Sequence, residues 1–355
     1  MKILILTSEL KNTCGVSNHL YNLCIGLKKN SIDITIACPG GESIKRFTDL
    51  GVNVCTIPQL MHEKRNILNY INAYFKLFYL IRKNNYNIVH SHNHYCANIA
   101  KNVCRLTGIK TIQSNHGILP KIGRLKHFAA DYYVAVNDHI KDYMIEQENI
   151  PKENIFLIYN GIWKKTNSGR FQRDKIKFIA ASRLIKEKGI QDFIKAVHLL
   201  DKNIFMKAEF YIAGEGYYEA ELNKLNEKLG GRVTFLGNVI NLSERLNDYD
   251  IFVMATSGKY EGLPMVLIEA AFSGCIIISS SFTEMNKIFS EENGCLLYDK
   301  GDAGSLSVKI EYVIGNYPDS LLKAKKLNEI AVRNFGADLM TEKVIQLYSK
   351  VTNEN

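Results

Sequence analysis

Two carboxylates eight residues apart, Glu261 and Glu269, bracket the string Glu-Gly-Leu-Pro-Met-Val-Leu-Ile-Glu. The spacing suits one acid on a loop and the other about two turns into the helix that follows. Pro264 is at home in a first helical turn, where its missing N–H costs nothing. Gly262 and the amides after it would then turn unpaired N–H groups toward an anion. The two carboxylates accept charge-assisted hydrogen bonds, which suits a ligand rich in hydroxyls. Leu263, Val266, Leu267 and Ala270 are expected on the core face of that helix. The plain alternative is a pair of solvated helix glutamates.

A second group is Ala181-Ser-Arg183-Leu-Ile-Lys-Glu-Lys188-Gly189. Two cations five apart, between a strand end and a helix start, can stabilise charge developing on a diphosphate leaving group. A third is Ile212-Ala-Gly214-Glu-Gly216, a strand running into a glycine turn. It lacks the rest of the dinucleotide fingerprint, which argues against a nicotinamide cofactor. Near the N-terminus, Thr13-Cys-Gly15-Val-Ser-Asn-His19 places one glycine where backbone can approach a phosphate. His19 reads as a packing residue inside the ensuing helix.

Two patterns invite a metal and are set aside. In His90-Ser-His92-Asn-His94 an extended strand would put three imidazoles on one face, yet no obvious carboxylate or cysteine completes a ligand set. Asp248-Tyr-Asp250 leads directly into an apolar strand and reads as a helix-to-strand turn.

The elements that must position these residues alternate along the whole chain. Strand candidates in the first half are Lys2–Thr7, Asp33–Cys38, Val52–Ile57, Ile88–Ser91, Lys110–Ser114, Tyr132–Val136 and Ile155–Ile158. Helical periodicity lies between them at Val16–Lys28, Asn66–Lys83 and Asp138–Gln147. Tyr159 to Arg173 breaks the alternation and reads as a linker. Strands resume at Ile176–Ala181, Glu209–Ala213, Arg232–Leu236, Ile251–Ala255, Ile276–Ser279 and Cys295–Tyr298, before three helical segments, Leu306–Ile314, Asp319–Asn334 and Ala337–Val351. Strands separated by helices predict parallel sheets that bind ligands at their carboxyl edges.

The length of 355 residues suits two such domains. With 46% hydrophobic and 23% charged residues, the composition is that of a globular protein, and no apolar run approaches the roughly 18 residues of a membrane span. MKILILTSEL reads as a first strand rather than a signal peptide, so a cytoplasmic protein is expected. The eight cysteines contain no C-x-x-C pair and read as reduced, buried small residues. Residues 1–163 carry 19 Lys and Arg against 11 Asp and Glu, and the remainder 26 against 25. A basic first half suits an anionic partner, such as a membrane surface, a phosphate-bearing acceptor or nucleic acid, though solvated lysines on helix faces would look alike. Within it, Met61 to Tyr86 interleaves Tyr70, Tyr74, Phe75, Phe78 and Tyr79 with Lys64, Arg65, Lys76, Arg82 and Lys83, as an interfacial helix would.

Glu261 to Glu269, with Ala255-Thr-Ser before it and Ser273-Gly-Cys after it, resembles the E-x7-E signature of retaining glycosyltransferase family 4. The resemblance covers essentially the whole chain, most strongly residues 176–300. It implies the GT-B fold, an α/β architecture of two Rossmann-like doubly wound domains facing a cleft, with a last helix crossing back to the first. The expected domains are 1–163 for the acceptor, 174–334 for the nucleotide-sugar donor and 335–355 as the crossover helix. By the same resemblance Glu261 lies by the donor sugar, Glu269 holds ribose hydroxyls, and Gly214, Gly216, Gly262 and Leu263 line the nucleotide and sugar. Arg183, Lys188 and Gly15 hold the diphosphate, and His116, in Asn115-His116-Gly117, contacts the donor sugar. Cys14 stands where the family usually has a second glycine.

The implied reaction moves a sugar from a nucleotide-diphosphate sugar to a sugar or lipid-linked glycan acceptor, with retention and with neither metal nor cofactor. Surface polysaccharide assembly at the inner face of the membrane is the expected setting, with no nucleic-acid partner. The alternatives are a GT-B sugar-nucleotide epimerase and a non-catalytic sugar-nucleotide binding protein. A pyridoxal-phosphate phosphorylase is not favoured, as nothing marks its lysine.

Overall fold

The structure, a computed structural model, describes residues 1–12, 14–118, 127–163, 174–240, 242–256, 264–281 and 288–353. The chain divides into two compact units, Met1–Trp163 with Phe335–Asn355, and Lys164–Asn334.

Among the described residues the first unit is built on seven strands, β1 (Lys2–Leu6), β2 (Asp33–Cys38), β3 (Asn53–Thr56), β4 (Ile88–Ser91), β5 (Lys110–Asn115), β6 (Tyr132–Ala135) and β7 (Ile155–Leu157). They pair in the order β3-β2-β1-β4-β5-β6-β7, and each recorded pairing is parallel. Its helices are α1 (Gly15–Lys29), α2 (Ile44–Asp49), α3 (Ile67–Asn84), α4 (His94–Thr107) and α5 (Asp138–Glu146). Ile3 and Ile5 point to one face and Leu4 and Leu6 to the other, so the sheet is buried on both sides, as parallel sheets are. The order reverses between β1 and β4, the position where such sheets take their ligands.

The described residues of the second unit form six strands, β8 (Ile176–Ala181), β9 (Ala208–Ala213), β10 (Thr234–Phe235), β11 (Ile251–Met254), β12 (Ile276–Ser280) and β13 (Leu296–Tyr298). They lie parallel in the order β10-β9-β8-β11-β12-β13, reversing between β8 and β11. The helices are α6 (Ile190–Leu199), α7 (Lys202–Phe205), α8 (Glu219–Lys228), α9 (Leu242–Arg245), α10 (Met265–Phe272), α11 (Ala303–Gly315) and α12 (Tyr317–Phe335). The last helix, α13 (Ala337–Asn353), belongs to the first unit, burying Met340, Val344, Leu347, Tyr348 and Val351 in its core.

Part of the expected linker is ordered scaffold. Ile162 N donates to Phe335 O at 2.9 Å and Ala337 N to Ile162 O at 3.0 Å, a bridge that ties the segment to the start of α13. A Cβ at Gly161 would lie 2.7 Å from the Ala337 Cα, and Trp163 Nε1 donates to Asn22 O. Periodicity is low here because the contacts are backbone pairing, not a buried face. Residues 164–173 of that expected linker lie outside the described residues.

Candidate active site

In the second unit, three loops meet at the carboxyl edge of the sheet. Leu184, just past β8, is fully buried, and the exposed Arg183 beside it points the other way. Leu184 N donates to Glu215 O and Tyr218 N to Leu184 O, both at 2.9 Å, stitching the loop after β8 to the one after β9. The glycines make this stitching possible. Gly214 sits at φ +135°, and a Cβ there would come within 1.9 Å of the Ser182 carbonyl oxygen. At Gly216 the obstacle would be Leu184 O at 2.3 Å. Sequence reasoning gave these glycines to the nucleotide; the geometry adds that they fix the loop carrying Arg183.

Lys188 closes a 3-10 turn, Lys186–Lys188, ahead of α6. Gly189 caps that helix at φ +69°, where a Cβ would meet Ala255 O at 1.9 Å, so the loop after β11 presses against this turn. Burial, followed by repulsion from Arg183, brings the Lys188 ammonium down to about 8. A desolvated cation beside a second cation gains by acquiring an anion.

Glu261, Gly262 and Leu263 lie outside the described residues. Pro264 does not stand in the first turn of α10 as expected. It is the N-cap, at ψ 103°, with its carbonyl accepting from Leu267 N at 3.1 Å and Ile268 N at 3.4 Å. Nor does Val266 face the core as expected; the helix buries Met265, Leu267, Ile268, Ala270, Ala271 and Phe272. Val266 and Glu269, three apart, are its half-buried stripe, and Glu269 is its one polar residue. Asp250 is a structural residue, accepting from Lys177 N at 2.9 Å and Tyr317 OH at 3.0 Å.

In the first unit, Gly15 opens α1, a 15-residue helix with no acid in its first turn. Its N-cap, Cys14, donates its thiol to Glu9 Oε1 at 3.2 Å. The histidine strand is not one face of three imidazoles. Strand β4 ends at Ser91, and Asn93 caps α4 by accepting from Cys96 N at 2.8 Å, which carries His94 away into the helix. There it packs against His62 and His127, with ring centroids 4.9 and 5.8 Å apart. His90 is held at both nitrogens, by Tyr348 OH at 2.7 Å and Ser114 Oγ at 2.8 Å.

His92 instead meets His116, Nδ1 to Nε2 at 3.1 Å, and His19 joins them with its ring centroid 4.8 Å from that of His116. The three side chains follow β1, β4 and β5, neighbours in the sheet, so the topology gathers what 97 positions of sequence separate. Burial pushes all three imidazoles down, His19 and His92 well below their ordinary range and His116 to about 4, so they are neutral near pH 7. His19, expected only to pack, is thus part of the His116 environment.

Outside, α3 carries an apolar stripe. Ile67, Leu68, Ile71, Phe75 and Tyr79 are exposed, at 45% or more of their surface. Tyr70, Tyr74 and Phe78, expected on the same interface, pack instead on the unit's core. Among the described residues no helix is long and apolar enough to cross a membrane.

Comparison with known families matches residues 13–163 to Glycosyltransferase Family 4 and residues 161–331 to Glycosyl transferases group 1. The chain belongs to the family 4 glycosyltransferases. It is therefore an enzyme of the glycosyl-transferring class, EC 2.4. It is 25% identical to an uncharacterised glycosyltransferase of Methanocaldococcus jannaschii, covering 89% of this chain and 90% of the relative. It is 22% identical, over 91% of this chain and 90% of the other, to the UDP-Gal:alpha-D-GlcNAc-diphosphoundecaprenol alpha-1,3-galactosyltransferase of Escherichia coli. Among solved structures it is similar to Anabaena Alr3699/HepE in complex with UDP and glucose, with a TM-score of 0.83 at 16% identity, covering 99% of this chain and 100% of that one. The two parallel sheets and this likeness make the fold GT-B, two Rossmann-like domains.

Proposed function

We propose that this glycosyltransferase transfers a sugar, with retention and without a metal, from a nucleotide-diphosphate sugar to a lipid-linked glycan during surface polysaccharide synthesis. The observation that carries the donor half is the Arg183–Lys188 pair, set on a turn that Gly189, Gly214 and Gly216 pin at the carboxyl edge of the second sheet. Two cations there hold the diphosphate and stabilise the charge it gains as the glycosidic bond breaks. The leaving phosphate oxygen takes the proton of the acceptor hydroxyl as that hydroxyl attacks on the same face, so no protein base is required. His116, neutral because of its burial, touches the donor sugar as a hydrogen-bonding group rather than as a cation. Glu269 binds the ribose hydroxyls, with Glu261, Gly262 and Leu263 beside the sugar and nucleotide.

The lipid-linked acceptor is supported by the Escherichia coli relative, whose name specifies a diphosphoundecaprenol substrate, and by the stripe on α3. Exposed Phe75 and Tyr79, with Lys64, Arg65 and Lys83 on or just before the same helix, suit an anionic lipid interface. In this reading the protein works peripherally on the cytoplasmic face. Binding of a panel of UDP- and GDP-sugars, read by calorimetry beside turnover, tests the donor assignment. Donor binding without turnover across a panel of lipid-linked acceptors would favour a binding protein instead.

A further inference from the structure

We propose that His19, His92 and His116 form a binding site for a borderline divalent cation such as Zn2+, and that occupation of this site inhibits the enzyme. One ring nitrogen from each histidine lies within 4.8 Å of the other two. Ligand nitrogens of a tetrahedral zinc, at roughly 2.0–2.1 Å from the metal, stand about 3.3 Å apart. The His92–His116 pair, at 3.1 Å, already meets that spacing, and a His19 ring nitrogen lies within 4.8 Å of both.

A second observation points to a missing ligand. His19 Nδ1 has no hydrogen-bond partner among the described residues, although its side chain is more than nine-tenths buried. Buried polar nitrogens are normally satisfied, and each one left bare carries a cost. His90, whose ring lies 4.4 Å from that of His92, is no ligand, since both its nitrogens are engaged. It forms a wall. Three imidazoles leave a fourth position open, the arrangement of zinc sites that exchange a water or substrate atom.

Inhibition rests on the proposed role of His116: a nitrogen that ligates zinc is lost to the donor sugar. Metal here opposes the reaction rather than serving it, so activity in chelator and inhibition by zinc belong together. The binding claim stands apart from that role and is tested apart from it.

The test titrates chelator-treated full-length protein with Zn2+ against a chromogenic chelator, and with Co2+ followed by its visible absorption. The expected result is one site per chain, with the intense visible bands of four-coordinate cobalt. His92→Gln and His19→Gln should each weaken binding at least tenfold, and His62→Gln, in the other histidine group, should leave it unchanged. Circular dichroism confirms that each variant is folded, and the wild-type cobalt spectrum needs no variant. Absence of a stoichiometric site in the wild type would overturn the proposal, as would a site that survives His92→Gln or vanishes with His62→Gln. If zinc binds as described but leaves turnover intact, the metal site stands and the role given to His116 falls.

Discussion

Lys188 is partly buried beside Arg183, and burial together with the neighbouring guanidinium brings its ammonium down to about 8. It is charged below that pH and neutral above it. Affinity for a nucleoside diphosphate is therefore expected to fall as pH rises from 7 to 9, beyond any change at the phosphate itself. Lys188→Arg should remove this limb, because a guanidinium stays protonated throughout. Calorimetric titration of UDP and GDP at several pH values is the check. Arg183→Ala and Lys188→Ala should each weaken binding by about 1.5–3 kcal/mol, the usual size of a charge-assisted contact. Wild-type affinity in both variants would remove the phosphate assignment.

Gly214 gives a second expectation. Gly214→Ala puts a methyl 1.9 Å from Ser182 O at φ +135°, so the loop bearing Arg183 must move. A destabilisation of roughly 1–3 kcal/mol is expected from the backbone conformation alone, with a further loss of nucleotide affinity. Gly40→Ala is the control, at φ +124° with nothing within 4 Å of the added carbon. If both variants bind nucleotide equally well, the packing of these loops does not set the site.

How much of this was legible in sequence depended on whether the signal was local. Arg183 and Lys188 were legible because a strand end, two cations and a glycine fall within nine residues. His19 was not, since its place beside His92 and His116 comes from the neighbouring of β1, β4 and β5, and strand order is absent from local pattern. His94 leaves the expected face because Asn93, a capping residue, starts a helix there. Tyr159–Trp163 reads as linker in sequence because a backbone bridge leaves no periodicity. The strands themselves were legible through their β-branched runs, with ends displaced by a residue or two.

The buried histidines predict acid sensitivity. His90, His92, His19 and His116 titrate well below the roughly 6.5 of an unfolded histidine. Below that pH the unfolded chain binds protons that the folded chain does not, so stability is full above about 6.5 and is lost as pH falls toward 4. Each such group steepens the loss by up to about 1.4 kcal/mol per pH unit. Urea denaturation from pH 7 to 4.5 should show the decline, and His116→Gln should make it shallower. An equal slope in that variant would contradict the depressed value.

For the stripe on α3, sedimentation with liposomes is the measurement. Binding should rise with phosphatidylglycerol content and fall with salt. Ile71→Ser with Phe75→Ser, both exposed, should reduce it several-fold without changing the thermal midpoint. Indifference to lipid charge, or undiminished binding by the double variant, would leave the acceptor without this support.

The most direct test of the transfer mechanism is NMR of the sugar first released from an α-linked donor. A panel of UDP- and GDP-sugars would be incubated with the enzyme in excess EDTA, without acceptor, and the anomeric signals followed before mutarotation. Retention without a metal predicts that slow hydrolysis of at least one donor yields the α-anomer first, at a rate the chelator does not change. A β-anomer appearing first, or hydrolysis that stops in EDTA and returns with magnesium or manganese, would contradict it.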